Sequence, residues 1–192
     1  MIYVAGLAYL LGSISFSWLA VRLAGRGDLR RQGSGNLGAK NTLRSLGLPA
    51  ALAVFIGDFA KGWLALFMAD KLGGSELLLV AAFAVILGHN FPFWLRFQGG
   101  KGLAAAAGAT LYLNPVLTLT LLFSGALGLA ITRRTNPAAF FIIASFPLLT
   151  PLLTDLPQSW LWSPLIAVVV LYRHLRDLPD LLASLGFKKS RY

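Results

Sequence analysis

The chain has 192 residues, 57% of them hydrophobic, with 17 Lys and Arg against 7 Asp and Glu and a net charge of +10. A mean hydropathy of +0.71 is more apolar surface than one soluble core of this size can hide, which excludes a soluble globular domain and a disordered chain. With no cysteine there is no disulfide scaffold, Cys-zinc site, iron–sulfur cluster or thiol nucleophile, and two histidines with seven acids make a dedicated metal site unexpected.

The first apolar run, Ile2 to Ala24, has no charge before Arg22, so it lacks the basic start of a cleavable signal peptide and is predicted as one retained helix. A polar segment, Gly25 to Gly47, follows. Further apolar runs span Leu48 to Ala69, Glu76 to Leu95, Gly102 to Leu113, Val116 to Thr132, Pro137 to Thr154 and Trp160 to Tyr172. If the N-terminus is outside and every run crosses, all basic residues except Lys61 and Lys71 fall in cytoplasmic segments. The expectation is an all-α polytopic membrane protein of seven transmembrane helices, N-terminus outside and C-terminus cytoplasmic, forming a single domain over 1–192. The basic excess is then ordinary positive-inside decoration and implies no nucleic acid.

The fourth run is short. Gly102 to Leu113 reaches about 18 Å as a helix, against a hydrocarbon core of about 30 Å. Asn114-Pro115 suits a turn before the fifth run, so a short helix starting deep on the cytoplasmic side is expected, packed closely through Ala104 to Ala109.

Two glycine-rich segments carry the candidate chemistry. The first reads Gly33-Ser34-Gly35-Asn36-Leu37-Gly38-Ala39-Lys40-Asn41-Thr42-Leu43-Arg44. Its G-x-G-x-x-G spacing is not a dinucleotide site, because no strand precedes it. Gly33, Gly35 and Gly38 permit a backbone N–H concavity for an anion, Ser34, Asn36 and Asn41 add neutral hydrogen-bonding groups, and Arg44 offers a phosphate-matching fork. A glycine loop with a positive-inside arginine is the bland alternative. The second segment is Gly99-Gly100-Lys101-Gly102 at the start of the short helix, a natural phosphate site by its glycines, lysine and helix N-terminus. It is not a nucleotide-hydrolysing loop, since Gly102 rather than Ser or Thr follows Lys101. Here the bland alternative is a flexible loop with a snorkelling lysine.

Asp58 and Lys61 lie three apart within the second run. They share a helix face and are expected to be a structural, internal ion pair that holds the helix against the site. His89 and His174 end the third and last runs, where a capping role competes with that of a general base.

Ser34-Gly35-Asn36-x-Gly38-Ala39-x-Asn41-x-x-Arg44, Gly88-His89-x-x-Pro92-x-x-x-x-Phe97-x-Gly99-Gly100-Lys101-Gly102 and Arg173-His174 resemble the bacterial acyl-phosphate:glycerol-3-phosphate acyltransferase family, PlsY. Gly12-Ser13-Ile14 and Asp58-x-x-Lys61-Gly62 are also similar to it, so the likeness covers nearly the whole chain. The resemblance implies a seven-helix enzyme that uses no coenzyme A, no cofactor and no metal. Acyl phosphate donates a fatty acyl group to the sn-1 hydroxyl of glycerol 3-phosphate, giving lysophosphatidate and phosphate. It implies catalytic roles for Ser34, Arg44, His89 and His174. Gly35, Asn36, Gly38, Asn41, Gly99, Gly100, Lys101, Gly102 and Arg133 would then hold substrate or phosphate. Membrane lipid and the acyl-phosphate-forming enzyme are the expected partners, at the bacterial inner membrane.

The chain departs from the family pattern at Asp177, where Asn is usual, at Asn136, where Ser is usual, and at Lys40, where Thr is common. A carboxylate at 177 would repel substrate phosphate unless paired, with Arg173 and Arg176 as candidates. An activated donor needs positioning and charge stabilisation rather than a nucleophilic serine, and Ser34 has no evident base. The base is open between His89, His174 and a substrate phosphate. The alternative function is a membrane transporter of a phosphorylated metabolite, against which the short, nearly chargeless outer loops count. A structural lipid-binding protein would leave both glycine loops unexplained.

Overall fold

A computed structural model describes residues 1–186, so Lys188, Lys189 and Arg191 lie outside the described residues. The described residues contain helices and turns and no strand. They form two compact units, Met1–Leu113 and Asn114 onward. Among the described residues, five segments are long and apolar enough to cross a membrane: Ile2–Leu23, Leu48–Gly73, Ser75–Leu95, Pro115–Thr132 and Thr135–Leu153.

In the first unit, the opening run is two helices, α1 (Ile2–Ser13) and α2 (Phe16–Leu23), not the single helix expected. Two serines explain the break. The Ser13 hydroxyl donates back to the Tyr9 carbonyl at 2.8 Å, and Ser15 caps α2 by accepting from the Trp18 amide at 3.3 Å. Backbone freed at such a break needs a partner where water is scarce. Lys61 supplies it, donating Nζ to the Ile14 carbonyl at 2.8 Å.

The polar segment contains a short helix, α3 (Ala39–Leu46), that the hydropathy pattern does not reveal. Then come α4 (Leu48–Gly73), α5 (Leu78–Asn90) and α6 (Leu103–Leu113). The third apolar run therefore stops being α-helical at Asn90, and its end, Phe93–Leu95, is a 3-10 turn. The 11-residue α6 is the short helix expected. Its length corresponds to about 16 Å.

Close helix contacts come from reciprocal glycines. In α1 and α5, a Cβ on Gly12 would strike the Val85 carbonyl, and one on Gly88 would strike the Tyr9 carbonyl. In α4 and α6, Gly62 faces the Ala105 carbonyl and Gly108 the Phe59 carbonyl in the same way. Small residues let backbones approach where lipid offers no hydrophobic drive to pack.

The second unit begins with Asn114, which caps α7 (Pro115–Thr132) by accepting from the Val116 amide at 2.7 Å, so the Asn-Pro turn forms as expected. It continues through α8 (Thr135–Leu153), α9 (Ser159–His174) and α10 (Leu178–Ser184). Ser124 and Ser145 join α7 to α8 through hydroxyls 2.7 Å apart. Pro151 cannot donate to the Pro147 carbonyl, and the Ser163 hydroxyl of α9 approaches that carbonyl at 3.4 Å.

Candidate active site

The first glycine segment is a loop shaped from below by Asn41. This residue is 2% exposed in the first turn of α3. Its amide nitrogen donates to the Gln32 carbonyl at 2.9 Å and the Leu29 carbonyl at 3.3 Å, and its oxygen accepts from the Ser34 amide at 3.2 Å. Asn41 therefore holds the loop in shape. Gly33 sits so close above its side-chain oxygen that a Cβ would collide, and φ there is +55°. The result leaves Ser34 and Arg44 exposed, Gly35 and Asn36 half-buried, and Gly38 at the N-cap of α3 with no side-chain cap of its own. An uncapped helix start with glycine before it suits an anion.

The loop is anchored by Leu37, Leu29 and Val21, which are buried together with Leu95. Arg30 adds a polar tie. Its guanidinium and Nε engage the Asp28 carboxylate, the shortest contact being 2.6 Å, and Nη1 donates to the Leu95 carbonyl at 3.2 Å. These hydrogen bonds hold the Asp28 carboxyl below the usual carboxylate range. Charge decoration alone would not single out Arg30 among the loop's basic residues.

The second segment follows a sharp connector. Arg96 and Phe97 both adopt left-handed backbone, φ +55° and +60°. For side chains of this size that costs roughly 1–3 kcal/mol each. Fixed neighbours enforce it: Leu95 is buried, the Trp94 indole donates to the Ser13 carbonyl at 2.8 Å, and the Tyr9 hydroxyl donates to the Phe91 carbonyl at 2.7 Å. The chain then doubles back along the end of α5. The Gly99 amide donates to the Asn90 carbonyl at 3.1 Å and the Gly100 amide to the His89 carbonyl at 3.0 Å. Gly102, at φ +86°, leads into α6, and Lys101 is half-buried.

The two segments meet at Gly100. A Cβ there would lie 2.6 Å from the Leu37 carbonyl and would strike His89 Nε2. The structure thus brings together the Ser34–Arg44 loop, His89 and Gly99 to Gly102. Below them Asp58 and Lys61 pair at 2.7 Å, both 2% exposed, and His89 Nδ1 stands 3.4 Å from the same Asp58 oxygen. No periodicity in the sequence couples His89 on α5 to Asp58 on α4.

Arg133 and His174 belong to the second unit. Arg133 is the exposed C-cap of α7. His174 is 1% exposed, with Nδ1 2.8 Å from the Val170 carbonyl and the Phe140 ring edge-on at 6.2 Å. Asp177 accepts from the Asn136 amide at 3.3 Å, a partner the sequence reading does not anticipate.

The chain matches the glycerol-3-phosphate acyltransferase family profile over residues 2–184. It is 42% identical over 183 residues to a glycerol-3-phosphate acyltransferase of Pseudomonas savastanoi pv. phaseolicola, covering 94% of this chain and 93% of that one. The corresponding protein of Dechloromonas aromatica is 36% identical over 187 residues, 95% and 94% of the two chains. Among solved structures, it resembles the crystal structure of PlsY, an integral membrane glycerol 3-phosphate acyltransferase, in the glycerol 3-phosphate form. The TM-score is 0.86 at 31% identity, covering 100% of this chain and 94% of that one. The lysophosphatidic acid form of PlsY matches with a TM-score of 0.84 at 29% identity.

Proposed function

Since the chain belongs to the glycerol-3-phosphate acyltransferase family, we propose that it moves a fatty acyl group from acyl phosphate to the sn-1 hydroxyl of glycerol 3-phosphate. The products are 1-acylglycerol 3-phosphate and inorganic phosphate. The observation that carries this reading is the meeting of two basic, glycine-rich segments at Gly100, because both substrates bring a phosphate.

The acceptor oxygen attacks the acyl carbonyl, the new ester C–O bond forms, and the C–O bond to phosphate breaks with its electron pair leaving on phosphate. The hydroxyl proton passes to an imidazole or a phosphate oxygen. The leaving group is already activated, so the protein contributes positioning and charge stabilisation. Arg44 and Lys101 pair with phosphate, Ser34 donates a hydrogen bond, and Gly35, Asn36, Gly38 and Gly99 to Gly102 line the anion sites chiefly by letting phosphate approach closely, since the Gly35, Gly38, Gly99 and Gly100 amides already donate to backbone carbonyls. Asn41 supports the first of these from behind. Roles for Arg133 and His174 rest on the resemblance alone.

Under the same proposal the chain crosses the bacterial inner membrane seven times, with its N-terminus outside and the glycine segments cytoplasmic, where an acyl-phosphate-forming enzyme can supply the donor. The deciding experiment offers the purified protein acyl phosphate or acyl-CoA with glycerol 3-phosphate. Lysophosphatidate from the first donor only is the expected result. Product from acyl-CoA alone would overturn the donor assignment. Uptake of glycerol 3-phosphate into vesicles without acyl transfer would favour the transporter.

A further inference from the structure

A connected line of polar groups runs under the second glycine segment. Lys61 bridges the Ile14 carbonyl, 2.8 Å away, and Asp58 Oδ1, 2.7 Å away. The same carboxylate oxygen is 3.4 Å from His89 Nδ1. The other ring nitrogen, Nε2, abuts Gly100 so closely that a single methyl there would collide with it. Asp58 and Lys61 are each 2% exposed and His89 is 7% exposed. An ion pair needed only to join helices is complete with Asp58 and Lys61. A buried imidazole beside it costs desolvation unless its ring nitrogens are hydrogen-bonded or paired, and Nδ1 faces the same carboxylate oxygen.

An ionised carboxylate only accepts hydrogen bonds, so the 3.4 Å approach of Nδ1 to Asp58, an ion-pair distance rather than an aligned hydrogen bond, favours a proton on that nitrogen. A neutral ring then presents the Nε2 lone pair on the side of the glycine segment. Backbone amides help an anion only when they are already oriented. We infer that Asp58 is a positioning residue: it holds His89 in the Nδ1–H tautomer, and His89, packed against Gly100, in turn sets the backbone that leads into Lys101 and Gly102 for the substrate phosphate, the Gly99 and Gly100 amides being spent on the Asn90 and His89 carbonyls. The phosphate part of this rests on the function proposed above.

The protein has two histidines, so histidine labelled with nitrogen-15 in the purified full chain gives two imidazole signals, assigned with His174→Gln. In the wild-type protein His89 is expected as the Nδ1–H tautomer. A ring protonated at Nε2 overturns the inference outright, whatever the variants do. Two charge-neutral variants then separate positioning from packing. Asp58→Leu with Lys61→Met removes the acceptor beside His89. Asp58→Asn with Lys61→Met keeps an oxygen there. The Leu variant should lose the Nδ1–H signature and raise KM for glycerol 3-phosphate at least tenfold at a Tm matching that of the Asn variant, since both lose the Lys61 contact to the Ile14 carbonyl equally. The Asn variant should stay within threefold of wild type. Equal KM and equal tautomer in both would make the ion pair structural only. If the Leu variant does not fold, loss of the Nδ1–H signature from wild type to Asp58→Ala, read in lipid nanodiscs, decides the same point. An unchanged KM in Lys101→Ala would instead overturn the reading of the loop, independently of the imidazole spectrum.

Discussion

Asn136 donates its side-chain amide to the Asp177 carboxylate at 3.3 Å. Both positions are among the departures noted from the sequence, where the resemblance implies Ser and Asn. The departures are complementary. A carboxylate at 177 accepts only, so its neighbour must donate, and an asparagine amide does so with longer reach than a serine hydroxyl. Asp177 is 8% exposed, so losing a donor costs about 1–3 kcal/mol. Asn136→Ala should lower Tm accordingly. Asn136→Ser should lose stability in the same way, and adding Asp177→Asn to it should recover most of that loss. A double variant no better than Asn136→Ser alone would show that the two positions are not coupled.

Arg44→Ala and Lys101→Ala each remove a charge-assisted contact worth roughly 1.5–3 kcal/mol, and each should cut acyl transfer at least tenfold. Arg191→Ala, in the tail, should change little. Equal activity in all three would mean that neither glycine segment handles phosphate.

The charge distribution makes an orientation testable by labelling. Cysteine placed at Gly73 or Gln158 should react with an impermeant reagent added outside intact cells, and cysteine at Gln32 should not. The chain has no native cysteine to interfere. Labelling at Gln32 would put the first glycine segment on the wrong face for a cytoplasmic donor.

Direct transfer predicts no covalent acyl-enzyme and no effect of chelators. Ser34 lies exposed in a loop set by Asn41, to whose side-chain oxygen its backbone amide donates. Protein mixed with labelled acyl phosphate and quenched without acceptor should carry no stoichiometric label. A stable adduct on Ser34 would make it a nucleophile and require a base for it.

The glycine contacts predict a contrast between two substitutions. A Cβ at Gly62 runs into the Ala105 carbonyl, whereas one at Gly6 meets nothing within 4 Å. Gly62→Ala should cost about 1–3 kcal/mol through forced separation of α4 and α6, and Gly6→Ala should be neutral or slightly stabilising. Similar Tm values for both would show that the α4–α6 contact tolerates more space.

Hydropathy and charge count were enough to establish the helical membrane class, the short α6 and the Asn114 turn, because each depends on local composition or on a free-energy cost of many residues acting together. Residue type and spacing were likewise enough to single out both glycine segments and the Asp58–Lys61 face. The break at Ile14 escaped that reading: it depends on two serines whose hydroxyls divert local hydrogen bonds and on a lysine 47 positions away. So did α3, whose start is tied to loop carbonyls through Asn41. The contact of Asp58 with His89, the seating of Gly100 between the Leu37 carbonyl and the imidazole, and the Asn136–Asp177 bond all join residues distant along the chain. No local propensity encodes such distances, since they are set by how closely glycine-bearing helices approach and by which polar groups must find one another once water is excluded.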